Sequence, residues 1–279
     1  MLLAHRIIPE LFVSLGLLFM VSCSDSSTNS GKLDQPPQVP SGKTMMVDMS
    51  IFTSERPDSN SALDRENYER AAESIDQIQT IMKRNVMLSI NLFENADTSD
   101  AEEIDEGQWQ WTYDAKAGGG DKPSLNYEIR LVASQAENDQ LEWKLFLSSP
   151  ALPSGNQELR VLEGISNREV TQGTWTYFMA RPEQPEREVA ELEWEIDEDN
   201  DIDMGLKLHV GNLSGSAMNY ETEGAIRTIK LNPDDSQETT IEFNTDTHEG
   251  FIEAPDYNSG EKACWDSNFE DASCGEVNF

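Results

Sequence analysis

Positive charge is scarce in this chain. Its 279 residues carry 20 Lys and Arg against 53 Asp and Glu, for a formal net charge of −33. Such a surface does not neutralise phosphates, so non-specific nucleic-acid binding is excluded, and anionic membrane surfaces repel it. The acids are spread over most turns and strand faces rather than gathered, which fits a solvated surface suited to high salt better than a device for capturing cations or a basic partner. Histidine is scarcer still, at three residues. His209 falls on the polar face of an alternating stretch and His248 in a turn, so both read as ordinary surface histidines. The usual catalytic signatures are missing as well. In GNLSG at 211–215 the serine comes one place too late for a G-x-S-x-G elbow, and neither H-E-x-x-H nor G-x-x-x-x-G-K occurs. No cofactor is implied, and these motifs identify no enzyme.

Cysteine is the third scarcity, with three residues. Cys264 and Cys274 lie close together and read as one short-loop disulfide, because their spacing is neither C-x-x-C nor that of a zinc finger. Cys23 has a different setting. The one long apolar run, LFVSLGLLFMV at 11–21, follows His5 and Arg6 and is followed by Ser22 and then Cys23. That order of parts is a secretory signal, and the run is too short for an ordinary spanning helix.

The ending M-V-S-C resembles the lipobox of bacterial envelope lipoproteins. The resemblance implies cleavage before Cys23, diacylglycerol on its thiol and acylation of its amine, and two or three chains anchor stably where one does not. Ser24 stands where enteric bacteria place Asp to retain a lipoprotein at the inner membrane, so the expected site is the outer membrane of a Gram-negative, salt-adapted cell. Beyond this motif the likeness to envelope lipoproteins is general and carries no activity.

Residues 24–41, SDSSTNSGKLDQPPQVPS, are polar and rich in Ser, Asp and Pro, the composition of a disordered tether. The expected organisation is a signal peptide over 1–22, a lipidated tether over 23–43 and one domain over 44–279. TMMVDMSIF at 44–52 reads as a first strand. From 62 to 84 the apolar period becomes helical, with Tyr68, Ala71, Ala72, Ile75, Ile78, Ile81 and Met82 on one stripe and Ser61 as N-cap. VMLSINLF at 86–93 is compatible with helix or strand.

The rest alternates with a period of two. Residues 188–210 are the clearest case: Ala190, Leu192, Trp194 and Ile196 alternate with acids, an acidic turn follows, and Met204, Leu206, Leu208 and Val210 resume the pattern. That is a β-hairpin with Glu on one outer strand facing Lys and His on the other. Ten to twelve such short segments and no βαβ rhythm predict a mainly-β fold: an antiparallel meander, barrel or half-barrel with one amphipathic helix packed on it.

Three candidate sites follow. Trp109, Trp111, Trp143, Trp175 and Trp194 alternate in phase with Leu and Ile, which makes them core residues first and ligand platforms second, for a lipid, another hydrophobic ligand or a sugar. Paired carboxylates of a carbohydrate-active enzyme are compatible with so acidic a chain. Asp199, Asp201 and Asp203 form a cation-candidate turn, although an EF-hand register fails because Ile202 or Met204 stands where Gly is required. Phe279 is similar to the terminal aromatic of outer-membrane barrels, but short strands, a near-terminal disulfide and a lipid anchor argue against that architecture. The reading is therefore an outer-membrane-anchored lipoprotein acting as a structural or interaction module, whose partners are the membrane through its lipid and an envelope protein. A carrier of a hydrophobic ligand is the first alternative, and a sugar-binding or sugar-cleaving protein the second.

Overall fold

The structure, a computed structural model, describes residues 33–45, 47–52, 64–85, 101–117, 125–150, 158–179, 186–210, 214–233 and 237–277. Among these residues fourteen antiparallel strands form one sheet whose spatial order is the chain order throughout. The strands are β1 (Ala101–Asp105), β2 (Gln108–Ala117), β3 (Leu125–Gln135), β4 (Leu141–Ser148), β5 (Leu159–Ser166), β6 (Gln172–Phe178) and β7 (Glu188–Ile196). The second half comprises β8 (Ile202–Leu208), β9 (Ala217–Glu223), β10 (Ile226–Asn232), β11 (Thr239–Asn244), β12 (Gly250–Glu253), β13 (Ala263–Trp265) and β14 (Asp271–Ala272). Of the three arrangements compatible with the alternation, the meander forms. Among the described residues β1 does not pair with β14, so the sheet is open.

Alternation explains why these segments pair. In β4 the sequence LEWKLFLS buries Leu141, Trp143, Leu145 and Leu147 in strict turn. The hairpin of β7 and β8 sets Leu192 opposite Leu206 and Trp194 opposite Met204 on the covered face. On its outer face Glu191 opposes Lys207, as the sequence led us to expect, but Glu195 opposes Asp203. The turn closes at Asp201, which leaves Asp203 within β8, so like charges meet there.

Glycines make room for the indoles. Gly164 lies opposite Trp175, and Gly173 opposite Trp194. A Cβ on Gly173 would stand 2.9 Å from the Trp194 ring, and one on Gly164 2.4 Å from Trp175. Each indole therefore lies flat over a bare backbone on the preceding strand, and the two rings stack with centroids 6.3 Å apart. Trp265 covers Gly250 in the same way.

What covers the apolar face differs from expectation. Among the described residues of 44–52 no strand forms. They form 3-10 turns at Gly42–Met45 and Ser50–Phe52, because they cross the sheet's face instead of joining its edge. Among the described residues packing begins at Leu33, within the stretch whose composition suggests a tether. Leu33 is buried and its carbonyl accepts a hydrogen bond from Trp109 Nε1 (3.2 Å) on β2. The first 3-10 turn touches β7. Phe52 then packs on Phe243 of β11 and Trp265 of β13, with centroids 5.2 and 6.4 Å away. A few apolar anchors, Leu33, Met45, Met49, Ile51 and Phe52, thus strap the face from one end of the sheet towards the other.

The helix α1 (Glu66–Asn85) completes the cover over β12 to β14. Tyr68, Ala71, Ala72 and Ile75 of its stripe are buried, and Tyr68 donates to the Ile51 carbonyl (2.8 Å). The expected Ser61 cap and the segment 86–93 lie outside the described residues, as do the side chains of Ile78, Ile81 and Met82. Asp271 of β14 serves the helix start instead: its Oδ1 accepts the Asn67 N–H at 2.9 Å. Asn67 Nδ2 in turn donates to the Cys264 carbonyl (2.8 Å). Beside this contact Cys264 and Cys274 form the disulfide, with Cα atoms 5.2 Å apart.

Candidate functional site

The five tryptophans expected to line a ligand surface sit in the core. Trp143 and Trp175 are 0% exposed and Trp111 and Trp194 4%, while Trp109 packs partly buried against the same cluster. A stacking platform needs a free ring face, and these faces are occupied by neighbouring side chains and by the strap. Two indoles are fixed by hydrogen bonds, Trp109 to Leu33 and Trp143 Nε1 to Ser166 Oγ at 3.0 Å. Two other polar groups on this face, Trp194 Nε1 and the Tyr177 hydroxyl, are buried with no hydrogen-bond partner among the described residues. Burial pushes the Tyr177 phenol far above its ordinary range. Tyr220 on β9, buried beside Asp48 of the strap, is pushed up to about 12, chiefly by desolvation.

The strongest polar feature is on the other face. Glu195, Asp203 and Glu221 follow one another across β7, β8 and β9. They line a depression of about 870 Å³ that also reaches Glu242. Partial burial, and then the carboxylates of Glu221, Glu195, Asp197 and Asp201, hold the Asp203 carboxyl above its ordinary range. A second depression, of about 660 Å³, adjoins it over Gly205 between Thr174, Glu193 and Asn219. Both are open and polar-rimmed, unlike the enclosed apolar pocket that a lipid needs.

The candidate cation turn is held by its own hydrogen bonds. Asp197 Oδ1 accepts the backbone N–H groups of Asp199 and Asp201, both at 2.9 Å. Asp201 Oδ1 accepts from the Thr222 hydroxyl (3.2 Å) and the Gly224 N–H (3.0 Å), tying this turn to the next hairpin. Asp199, Asp201 and Asp203 do not converge to ligand spacing. Among the described residues the one trio that does is Glu188, Glu191 and His209. That trio was not legible as a site from sequence. Its only trace is the adjacent apolar pair Val189–Ala190, where strict alternation would place one apolar residue.

His248 sits in a turn with positive φ, its ring stacked on Phe269 (centroids 5.5 Å apart) and its carbonyl accepting from Trp265 Nε1 (2.8 Å). Its placement is accounted for by packing. Elsewhere on the outer face Arg130 lies over Phe146 and Arg160 over Phe178, with guanidinium carbons 4.3 and 4.2 Å from the ring centroids. Arg130 also forks onto Glu158 at 2.6 and 2.7 Å, which holds that carboxyl below its ordinary range.

These features define a class by architecture alone: a single open antiparallel meander with a strapped, filled face and an acidic outer face. No protein-family model matches the chain, and neither a curated protein nor a solved structure matches it.

Proposed function

We propose that this chain is a non-catalytic lipoprotein of the cell envelope, anchored to the outer membrane by lipid on Cys23, whose folded domain is a solid structural or interaction module. The observation that carries this reading is the filled face of the sheet. A hydrophobic-ligand carrier needs a void lined by apolar side chains, whereas here indoles, strap and helix form one continuous buried cluster. The sugar-site reading loses its support in the same way, because the rings it requires are covered. Among the described residues no helix is long and apolar enough to cross a membrane, and a surface of net charge −33 does not adhere to anionic lipid. Lipid on Cys23 would supply the attachment.

Metabolic labelling of the full-length chain with an alkyne-tagged fatty acid, followed by membrane fractionation, tests the anchoring. Label on the wild type that is lost in Cys23→Ser, with the variant absent from the outer-membrane fraction, is the expected result. An unlabelled wild type, or a Cys23→Ser variant that still fractionates with the outer membrane, contradicts it.

A further inference from the structure

His209 directly follows β8, and its backbone N–H donates to the Val189 carbonyl at 3.0 Å. Val189 belongs to a β-bulge: Tyr177 pairs with Ala190, but the next residue, Phe178, pairs with Glu188. The register shift buries Val189 and Ala190 consecutively, at 0% and 1% exposure. In a regular strand residues three apart point to opposite faces. Here the bulge returns Glu188 to the face of Glu191, the kind of re-aiming for which bulges are retained beside functional sites.

The consequence is a compact trio. His209 Nε2 lies 3.0 Å from Glu188 Oε1 and 3.4 Å from Glu191 Oε2, and all three candidate ligand atoms lie within 4.8 Å of one another. The nitrogen atom is buried and faces both carboxylates at ion-pair distance, although among the described residues neither contact is an aligned hydrogen bond. The nearby Arg187 guanidinium is directed to the His209 carbonyl (3.3 Å). Metal coordination would account for the spacing. Imidazole nitrogen and carboxylate oxygen bind zinc-class ions at about 2.1 Å, which separates neighbouring ligand atoms by about 3.0 Å at a right angle and about 3.4 Å at a tetrahedral angle.

We propose that Glu188, Glu191 and His209 form a binding site for a divalent transition-metal ion, with water completing the coordination. One imidazole and two carboxylates suit zinc, nickel or manganese, and the imidazole selects against magnesium and calcium, which take oxygen ligands. This site is independent of the anchoring on Cys23.

The test is zinc titration, by calorimetry, of the metal-stripped mature chain carrying Cys23→Ser, with salt and excess magnesium present to suppress diffuse binding to the acidic surface. One equivalent of zinc should bind. His209→Gln and Glu188→Gln should each weaken binding by about tenfold or more, whereas Glu193→Gln, on the same strand and face, should not. Copper loading adds a readout that a folding defect does not mimic: nitrogen hyperfine coupling in the electron paramagnetic resonance spectrum, lost in His209→Gln. Absence of stoichiometric binding, equal losses in Glu193→Gln, or a nitrogen signal that survives His209→Gln would overturn the proposal.

Discussion

Tyr177 shows how tightly the covered face is closed. Among the described residues its hydroxyl is buried without a hydrogen-bond partner, and an unsatisfied buried polar group costs about 1–3 kcal/mol. Tyr177→Phe removes that group and keeps the ring, so urea unfolding should show a gain of about 1 kcal/mol. A loss of stability would mean that the hydroxyl has a partner after all. Asp203 makes the opposite point on the outer face. Its carboxyl titrates above the ordinary 3.8 because burial and four neighbouring carboxylates disfavour its charge. The folded state therefore holds this proton more tightly than the unfolded chain does, and stability falls as pH rises from 3.8 through the raised value. Asp203→Asn should stabilise the protein at neutral pH by a few tenths of a kcal/mol after allowance for solvent screening. Thermal melts should show the gain shrinking below pH 4 and at high salt; a gain unchanged at both would contradict like-charge repulsion as its cause.

Individual elements differ in how plainly the sequence announces them, and the difference is physical. β4, β7 and β8 are legible because each buries one face only, so their side chains must alternate. β1, with sequence AEEID, was invisible because it is an exposed edge strand with no buried face to encode. β13 and β14 are three and two residues long, shorter than any period can register. Their existence rests on contacts distant in sequence. Asp271 receives the Asn67 N–H of α1, and the disulfide holds the same corner. Closing a loop of ten residues contributes about 2.5–3 kcal/mol. Replacing both Cys264 and Cys274 by Ser should lower stability by that amount, and hydrogen exchange should accelerate first at the start of α1. Uniform acceleration across β2 to β9 instead would place the staple's effect elsewhere. The strap was misread for a related reason: crossing a sheet face takes only a few apolar anchors, too sparse for any period, so polar residues between Leu33 and Phe52 mimic a tether. The trio of Glu188, Glu191 and His209 escaped because a bulge, not the repeat, sets its geometry.

At the scale of the whole molecule, the sheet separates two kinds of chemistry. One face carries nearly all the large apolar side chains under a strap and a helix; among the described residues only Ile104 and Ile165 are large, apolar and exposed. The other face carries the excess negative charge, which makes the fold's stability salt-dependent through self-repulsion rather than through any one ion pair. The central claim is that the covered face is a solid core and not a ligand cavity. Native mass spectrometry of the mature chain carrying Cys23→Ser, purified from the periplasm with its disulfide formed and then incubated with envelope lipids, tests it most directly. A single mass equal to that of the polypeptide, unchanged by the lipids, is the predicted result. A stoichiometric hydrophobic molecule that co-purifies and is released by lipid extraction would contradict it and make the protein a carrier.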